Sequence, residues 1–321
     1  MTDAVDELIE AERLPPDYSE IAEQYWRPLA HQITRHCERS GCEAGAARQP
    51  IQSNPRDLPG LLRRSDPRND EGGCLLVGIN GAQGSGKSTV CRFLELLLAD
   101  LGLSAVTLSL DDLYLTHAER QTLAEHTQPL FATRGVPGTH DVDLGMDLID
   151  KLLSGRPADL PRFDKARDDR APGSVRVEGP VDVILFEGWC VGAVPQPASA
   201  LAQAINALEA DEDPDGTWRR EVNRRLATDY AELFARIDLL VMLKVEGFDA
   251  VRTNRAKQES KLGSGPAVMD ADALDRFLMH YERLTRWQLE DMPERADILI
   301  EIGPDQRPIS VRPALPSSGK T

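Results

Sequence analysis

The chain contains a glycine-rich loop, Gly81–Thr89, with the sequence Gly-Ala-Gln-Gly-Ser-Gly-Lys-Ser-Thr. An apolar run, Leu75–Ile79, comes before the loop, and a mostly apolar segment without Gly or Pro, Val90–Leu101, follows it. The order is therefore strand, loop and helix, which is the context that the G-x-x-x-x-G-K-[ST] pattern needs in order to hold phosphate. This feature predicts a nucleoside triphosphate site at the end of a strand.

The residue types in the loop explain how it would bind a triphosphate. Gly81, Gly84 and Gly86 allow backbone angles that a Cβ forbids, so that consecutive N–H groups can point at an anion. Lys87 would reach the β and γ phosphates, and Ser88 would hold Mg²⁺ through its hydroxyl. The positive end of the helix that starts near Lys87 favours the same anion. The ATP-binding residues predicted in the loop are Gly81, Gln83, Gly84, Ser85, Gly86, Lys87, Ser88 and Thr89.

Charge and composition narrow the choice of partner. The 321-residue chain has a formal net charge of −16, which disfavours binding to a nucleic-acid backbone or to an anionic membrane. It has no long apolar run that would span a membrane, and Met1–Glu12 is acidic where a signal peptide would be basic and then apolar. The five cysteines are odd in number and form no C-x-x-C pair, which is typical of reduced thiols. These features predict a cytoplasmic protein with a small-molecule substrate.

The pattern of apolar segments divides the chain into three parts. Residues 1–70 are expected to form a helical appendage, with one helix at Tyr18–His36 and an irregular linker after it. Residues 71–312 alternate strands with helices and predict an α/β domain with a doubly wound parallel sheet, whose ligand lies at the carboxyl ends of the strands. Residues 313–321 are expected to be a disordered tail. The predicted strands are Leu75–Ile79, Ala105–Leu110, Val181–Phe186, Ile237–Val245 and Ala296–Ile302.

Two of these strands end in carboxylates. Asp111 and Asp112 follow the second strand, which we expect to lie one strand away from the phosphate loop. An Asp there can accept a proton from a hydroxyl group or bind Mg²⁺, although a helix cap is the alternative. Glu187 follows the third strand, and an apolar strand that ends in an acid is typical of a magnesium-binding position.

Basic residues are concentrated in two segments between these strands. Turn residues combine with Arg, Lys, His and Asp in Arg134–Asp141 and, downstream, in Pro161–Lys165 with Asp169 and Arg170. These stretches resemble a binding loop in a chain that is acidic overall. Two solvated turns are the alternative interpretation, because Arg and Asp are frequent on surfaces.

The combined motifs resemble the P-loop D-glycerate 3-kinases and their uncharacterised bacterial and fungal relatives, within the superfamily of uridine kinase, phosphoribulokinase and pantothenate kinase. The resemblance covers about residues 75–312. It is carried by Gly81–Thr89, Asp111–Tyr114, Gly138–Asp141, Pro161–Lys165, Phe186–Trp189, Trp218–Asn223, Asn254–Glu259 and Tyr281–Thr285.

The resemblance implies a P-loop nucleoside triphosphate hydrolase fold with a helical lid, and it implies a role for each site residue. Asp111 corresponds to the general base, Lys87 to the catalytic lysine, and Glu187 to the acid that binds Mg²⁺ together with Ser88. The lid would be the stretch 252–261, whose Arg252 and Arg255 would close over ATP, although a basic surface helix is the alternative. The implied substrate-binding residues are Asp112, Tyr114, Arg134, His140, Arg162 and Lys165.

The expected activity is transfer of phosphate from ATP to an alcohol, with D-glycerate as the acceptor and 3-phosphoglycerate as the product. A kinase for a nucleoside or a pantothenate-like metabolite is the first alternative, although only 5% of the residues are aromatic. A regulatory NTPase is less favoured, because the chain has no N-K-x-D guanine-reading sequence and no transporter signature. A degenerate kinase is disfavoured by the intact set of Lys87, Ser88, Asp111 and Glu187. Sequence leaves the oligomeric state open.

Overall fold

The computed structural model describes residues 2–39, 73–261 and 269–313. Their strands form one large sheet and one separate hairpin. The strands are β1 (Leu75–Gly81), β2 (Ala105–Ser109), β3 (Ala158–Asp164), β4 (Asp169–Val177), β5 (Val183–Gly188), β6 (Leu239–Val245), β7 (Ile298–Ile302) and β8 (Pro308–Pro313).

Helices surround the sheet on both faces. They are α1 (Thr2–Ala11), α2 (Tyr18–Ile21), α3 (Arg27–Arg39), α4 (Lys87–Asp100), α5 (His117–His126), α6 (Val142–Leu153), α7 (Ala207–Glu212), α8 (Thr217–Ala227), α9 (Asp229–Phe234), α10 (Phe248–Lys261) and α11 (Ala271–Asp291). A π-helical turn, Ala22–Trp26, joins α2 to α3, so that the helix predicted at Tyr18–His36 is one helical segment with a wider turn inside it.

The main sheet has six strands in the order β2-β5-β1-β6-β7-β8. The first five are parallel, and β8 runs antiparallel to β7 at one edge. The predicted doubly wound α/β fold is therefore confirmed, with an antiparallel edge strand that the sequence analysis missed. The five predicted strands all occur close to their predicted positions. The predicted helices at Lys87–Leu101 and Val142–Leu153 do so too.

One expectation about the sheet was wrong. β5 pairs with both β1 and β2, so Asp111 follows a strand that is two positions from the phosphate loop. The chain leaves β1, skips one position to build β2, and later fills the gap with β5. As a result the end of β5, which carries Glu187, lies between the loop and Asp111.

A second expectation was also wrong. Residues 158–177 form an antiparallel hairpin of β3 and β4, where the sequence analysis expected a binding loop, with solvated turns as the alternative. Only β3 alternates clearly between buried and exposed residues, and most of β4 is exposed. Because so few of its residues are buried, the hairpin has a weak hydrophobic pattern and its charged residues dominated the interpretation.

Two hydrophobic clusters cover the two faces of the sheet. Alternate residues of β1 point in opposite directions, with Val77 in one cluster and Leu76 in the other. The first cluster includes α3, α4 and part of α10, and the second includes α6, α8 and α9. In the described part of the chain, no helix is both long enough and apolar enough to cross a membrane.

The N-terminal helices pack into the first of these clusters. Trp26 and Ile33 are fully buried there, and the ring of Tyr18 lies 5.3 Å from that of Phe93 in α4. The described residues of the predicted appendage thus share one hydrophobic core with the phosphate-loop helix. A domain boundary at residue 70 stays a prediction, since residues 40–72 lie outside the described residues, as do 314–321 of the predicted tail.

Trp26→Ala tests how much this packing contributes to stability. Because Trp26 is fully buried, we expect its truncation to lower the free energy of unfolding by about 3–5 kcal/mol. Urea denaturation followed by circular dichroism measures this change. Gln24→Ala, at an exposed position of the same segment, is the matched control and should stay within about 0.5 kcal/mol of wild type. A similarly small effect for Trp26→Ala would show that the packing of this side chain contributes little to stability.

Candidate active site

The phosphate loop connects β1 to α4, as its sequence predicts. Gly84 and Gly86 have φ angles of +75° and +90°, which L side chains rarely adopt. α4 begins at Lys87, so its free N–H groups face the loop. The Lys87 ammonium donates to the Ala82 carbonyl oxygen at 3.3 Å across the same loop. The loop therefore presents backbone N–H groups, a helix N-terminus and an ammonium group to one space.

A cleft of about 660 Å³ opens in front of this loop and extends to the β3–β4 hairpin. Its volume lies in the range of small-molecule sites. It is lined both by residues of the predicted ATP-binding loop and by residues predicted to bind the substrate. The predicted residues that line it are Gln83, Gly84, Lys87, Ser88, Asp111, Asp112, Tyr114, Arg134, Arg162, Lys165, Glu187 and Arg255.

Ser88 and Glu187 form a corner suited to a magnesium ion. The Ser88 hydroxyl donates to Glu187 Oε1 at 3.3 Å, and the Ser109 hydroxyl donates to the same oxygen at 2.8 Å. Burial raises the pKa of Glu187, and the nearby Lys87 opposes that change. Hydroxyl and carboxylate oxygens are the ligands that Mg²⁺ prefers, and Mg²⁺ usually takes its other ligands from phosphate and water. In residues 2–39, 73–261 and 269–313, no group of three or more His, Cys, Asp or Glu is arranged to hold a metal without such help.

Asp111 and Asp112 have different surroundings, although they are adjacent. Asp111 Oδ2 accepts from Lys165 Nζ at 2.6 Å, and its Oδ1 accepts from the Tyr114 hydroxyl at 3.0 Å. Burial alone would raise the pKa of Asp111, but the Lys165 and Lys87 ammonium groups lower it to about 2. Asp111 is therefore ionised at neutral pH and faces the cleft.

Both oxygens of Asp112 bind the hairpin. One accepts from the backbone N–H of Phe163 at 2.9 Å, and the other accepts from Arg162 Nη1 at 2.8 Å. Neither Asp caps a helix, because the residue before the 3₁₀ turn Leu110–Leu113 is Ser109. Asp112 thus fastens the 3₁₀ turn to the hairpin, whereas Asp111 bonds to Lys165 and Tyr114 in the cleft.

Arg134 is held by two residues that the sequence analysis did not single out. It pairs with Asp168, a residue in the hairpin turn with a φ of +54°. Asp168 also accepts from Arg120, whose fully buried guanidinium bonds to the Asp168 carboxylate at 2.5 Å and to its carbonyl oxygen at 3.0 Å. The guanidinium groups of Arg120 and Arg134 each lie 5.7 Å from the ring centre of Phe163. A buried Arg has no signature in a single sequence, so only the structure reveals this support.

His140 does not line the cleft. It is 4% exposed, stacks on the Tyr114 ring at 4.5 Å, and has its Nδ1 2.6 Å from the Tyr230 hydroxyl. Burial lowers the pKa of His140 to about 3, so the ring is neutral at physiological pH. The structure therefore places His140 behind Tyr114 as a packing partner, in a position where it offers no positive charge to a substrate.

The two predicted lid arginines also differ. Arg255 lines the cleft, and its guanidinium lies 5.9 Å from the ring centre of Phe277. Arg252 pairs with Asp275 of α11 at 3.2 Å and does not line the cleft. One face of α10 thus meets the cleft, while another contacts the neighbouring helix.

Trp189 and Tyr281 form an aromatic wall of the cleft, which the sequence analysis did not predict. The Trp189 indole N–H donates to the Gly135 carbonyl oxygen at 2.8 Å, and the Tyr281 hydroxyl donates to the Arg134 carbonyl oxygen at 3.0 Å. The two rings meet edge to face at 4.8 Å. Both side chains are almost fully buried, so the wall offers ring edges and little free face for stacking a base.

These features define the class. A doubly wound sheet, a complete phosphate loop, a hydroxyl–carboxylate pair beside that loop and a separate ionised Asp in one cleft are the parts of a P-loop phosphotransferase.

Comparison with known proteins agrees with this class and indicates a family of kinases within it. No protein-family model matches the chain. It is 33% identical over 225 residues to the uncharacterized kinase mug58 of Schizosaccharomyces pombe, covering 66% of this chain and 79% of that protein. It is 32% identical over 221 residues to the chloroplastic D-glycerate 3-kinase of Arabidopsis thaliana, covering 64% of this chain and 46% of the plant protein's length.

A solved structure supports the fold. D-glycerate 3-kinase from Cryptococcus neoformans var. grubii matches with a TM-score of 0.69 over 90% of this chain and 99% of the other, at 23% sequence identity. The chain belongs to the family of P-loop kinases that includes D-glycerate 3-kinase and uncharacterised kinases such as mug58. The resemblance drawn from its motifs is thereby confirmed.

Proposed function

We propose that the protein is an ATP- and Mg²⁺-dependent kinase that phosphorylates a small hydroxy acid, with D-glycerate as the first candidate and 3-phosphoglycerate as its product. The observation that carries the proposal is that Lys87, Asp111 and Arg134 line one cleft. A phosphate-binding cation, a base for a hydroxyl group and a cation for a carboxylate are the groups that this reaction requires. The D-glycerate 3-kinases among the relatives support the choice of acceptor.

The residues of the cleft divide the work of phosphoryl transfer. Lys87 and the loop N–H groups offset the charge on the γ-phosphoryl group, and Arg255 adds a guanidinium from α10. Ser88 and Glu187 would hold the Mg²⁺, which neutralises phosphate charge when it is bound. Asp111 accepts a hydrogen bond from the acceptor hydroxyl and takes its proton. A base with a pKa of about 2 is adequate, because the transition state is loose and the bond to the attacking oxygen is only slightly formed in it. The hydroxyl group therefore does not have to lose its proton before the transfer begins.

Arg134 is the best placed of the three predicted cations to bind a carboxylate. Arg162 and Lys165 are paired with carboxylates that themselves line the cleft, Asp112 and Asp111. The partner of Arg134, Asp168, does not line it, so the charge of Arg134 is not offset by a carboxylate inside the cleft. Within the described residues, the Arg134 side chain makes one hydrogen bond, to Asp168, out of the five donors of a guanidinium. Its remaining donors are available for a charge-assisted bond to an acceptor.

Arg134→Ala tests this clamp. We expect kcat/KM for the acceptor to fall about 10- to 100-fold, mainly through KM, because a hydrogen bond to a charged group contributes about 1.5–3 kcal/mol. Arg176→Ala is the matched control, since Arg176 pairs with Asp159 on the same hairpin and does not line the cleft. Steady-state kinetics at saturating ATP give both values. If the wild type phosphorylates glycerol and D-glycerate with equal kcat/KM, no residue binds the carboxylate and the proposal of a hydroxy-acid substrate fails.

The activity itself is tested by ADP release against a panel of hydroxy acids, polyols and nucleosides. Stimulation by D-glycerate, with 3-phosphoglycerate identified by mass spectrometry, is the expected result. ADP release that no acceptor changes would instead identify an NTPase. Stimulation by a nucleoside alone would move the assignment to the nucleoside kinases of the same superfamily.

A further inference from the structure

The turn between β7 and β8, residues Gly303–Arg307, touches the phosphate loop. The side-chain amide of Gln306 donates to the Gly84 carbonyl oxygen at 2.9 Å. Gln306 has a φ of +65°, which is uncommon for a residue with a side chain and is tolerated where the surrounding structure fixes it. A strained residue thus directs its amide at the middle of the loop.

Gly84 is confined from a second side. A Cβ built on Gly84 would lie 2.7 Å from the Cβ of Asn254, a residue of α10 that is 2% exposed. The loop backbone therefore runs between α10 and the β7–β8 turn. The bond from Gln306 fixes the plane of the peptide that joins Gly84 to Ser85, because a peptide unit is rigid. That peptide begins two residues before Gly86, so its orientation restrains the start of the segment that leads to Gly86 and Lys87.

The turn is itself anchored on its other sides. Arg307 donates to both carboxylate oxygens of Asp17, at 2.6 and 2.9 Å, and so ties the turn to the N-terminal helices. Lys257 of α10 donates to the Pro304 carbonyl oxygen at 3.3 Å. The turn therefore links the phosphate loop to the lid helix and to the N-terminal segment.

We propose that Gln306 is a positioning residue for nucleotide binding: it holds the phosphate loop in its binding conformation before the triphosphate arrives. Preorganisation of this kind increases affinity because less ordering remains to be done when the ligand binds. The proposal rests on the proposed function in one respect, namely that the loop binds MgATP. It does not depend on the identity of the acceptor.

Gln306→Gly is the direct test. Glycine adopts a φ of +65° without strain, so the turn keeps its path and loses only the amide. We expect the Kd for MgATP to rise about 3- to 10-fold, as for the loss of one hydrogen bond. KM for ATP should rise with it, while kcat and the acceptor KM stay within about twofold and the free energy of unfolding does not fall. A fluorescent ATP analogue gives Kd, and kinetics give the split between the two KM values.

Two further variants separate the amide from the backbone. Gln306→Leu removes the donor and keeps both the bulk and the strain, so it should weaken MgATP binding like Gln306→Gly. Arg312→Ala is the control, because Arg312 is an exposed residue of β8 that pairs with Glu301 away from the loop, and it should leave Kd unchanged. Weaker binding in Gln306→Leu alone would overturn the proposal, since Gln306→Gly lacks the same amide and the leucine side chain itself would then be responsible.

The results also distinguish this proposal from the function on which it rests. Failure of the wild type to bind MgATP overturns both. If the wild type binds MgATP and both Gln306 variants bind it with the same Kd as the wild type, the positioning role is overturned and the kinase assignment stands.

Discussion

Lys87→Ala is expected to reduce phosphoryl transfer by at least about 10²- to 10³-fold while the protein stays folded. Lys87 lines the cleft beside Ser88 and Glu187, and within the described residues its only hydrogen bond is to the carbonyl oxygen of Ala82 in the same loop. Its ammonium is thus free to move to the phosphates. Removing a charged donor from a developing negative charge has effects of this size in other enzymes.

The measurement is kcat with the best acceptor of the panel, together with thermal unfolding to show that the fold is retained. Lys151→Ala is the matched control, because Lys151 pairs with Asp147 on the surface of α6. It should have wild-type kinetics. Turnover of the Lys87 variant near the wild-type rate would refute a catalytic role for the phosphate loop.

Asp111→Asn is expected to lower kcat by about 10²- to 10⁴-fold, which is the usual contribution of a general base. Asn keeps the size of the side chain and can still accept a hydrogen bond, but it cannot take a proton. Nucleotide affinity should change little, because the phosphate loop is untouched. Stability should change by less than about 1 kcal/mol, since Asp111 and Lys165 form a partly exposed ion pair.

Asp112→Asn is the matched variant for this test. Asp112 binds Arg162 and the Phe163 backbone, so its loss should loosen the hairpin and raise the acceptor KM more than it lowers kcat. The opposite pattern, with an active Asp111 variant and an inactive Asp112 variant, would assign the base to Asp112. Full activity in both variants would make the carboxylate pair structural.

The pKa of Asp111 also makes a prediction about pH. Because the folded pKa is held at about 2, below the ordinary value of 3.8, Asp111 stays ionised throughout the range in which the protein can be assayed. Its stabilising pairing is fully present above about pH 3.8 and is lost as pH falls through 2. The acidic limb of the pH–rate profile should therefore come from other groups.

The sequence alone determined the phosphate loop and the alternation of strands and helices. Both are local features: glycine spacing sets the loop, and apolar runs of strand or helix length set the elements. It also placed Asp111 and Glu187 at strand ends, and parallel strands bring their carboxyl ends to one edge of a sheet. The nucleotide half of the cleft follows from these facts.

The tertiary structure decided which residues meet there. β5 enters the sheet between β1 and β2, which brings Glu187 to Ser88, and the β3–β4 hairpin folds back to bring Lys165 to Asp111. His140 is of a residue type that often binds substrates, yet packing buries it. Gln306 looks like an ordinary turn residue, yet it reaches Gly84. These partners are far apart in the chain, and their contacts are set by packing and by the need to pair buried charges, which leave no periodic trace in a single sequence.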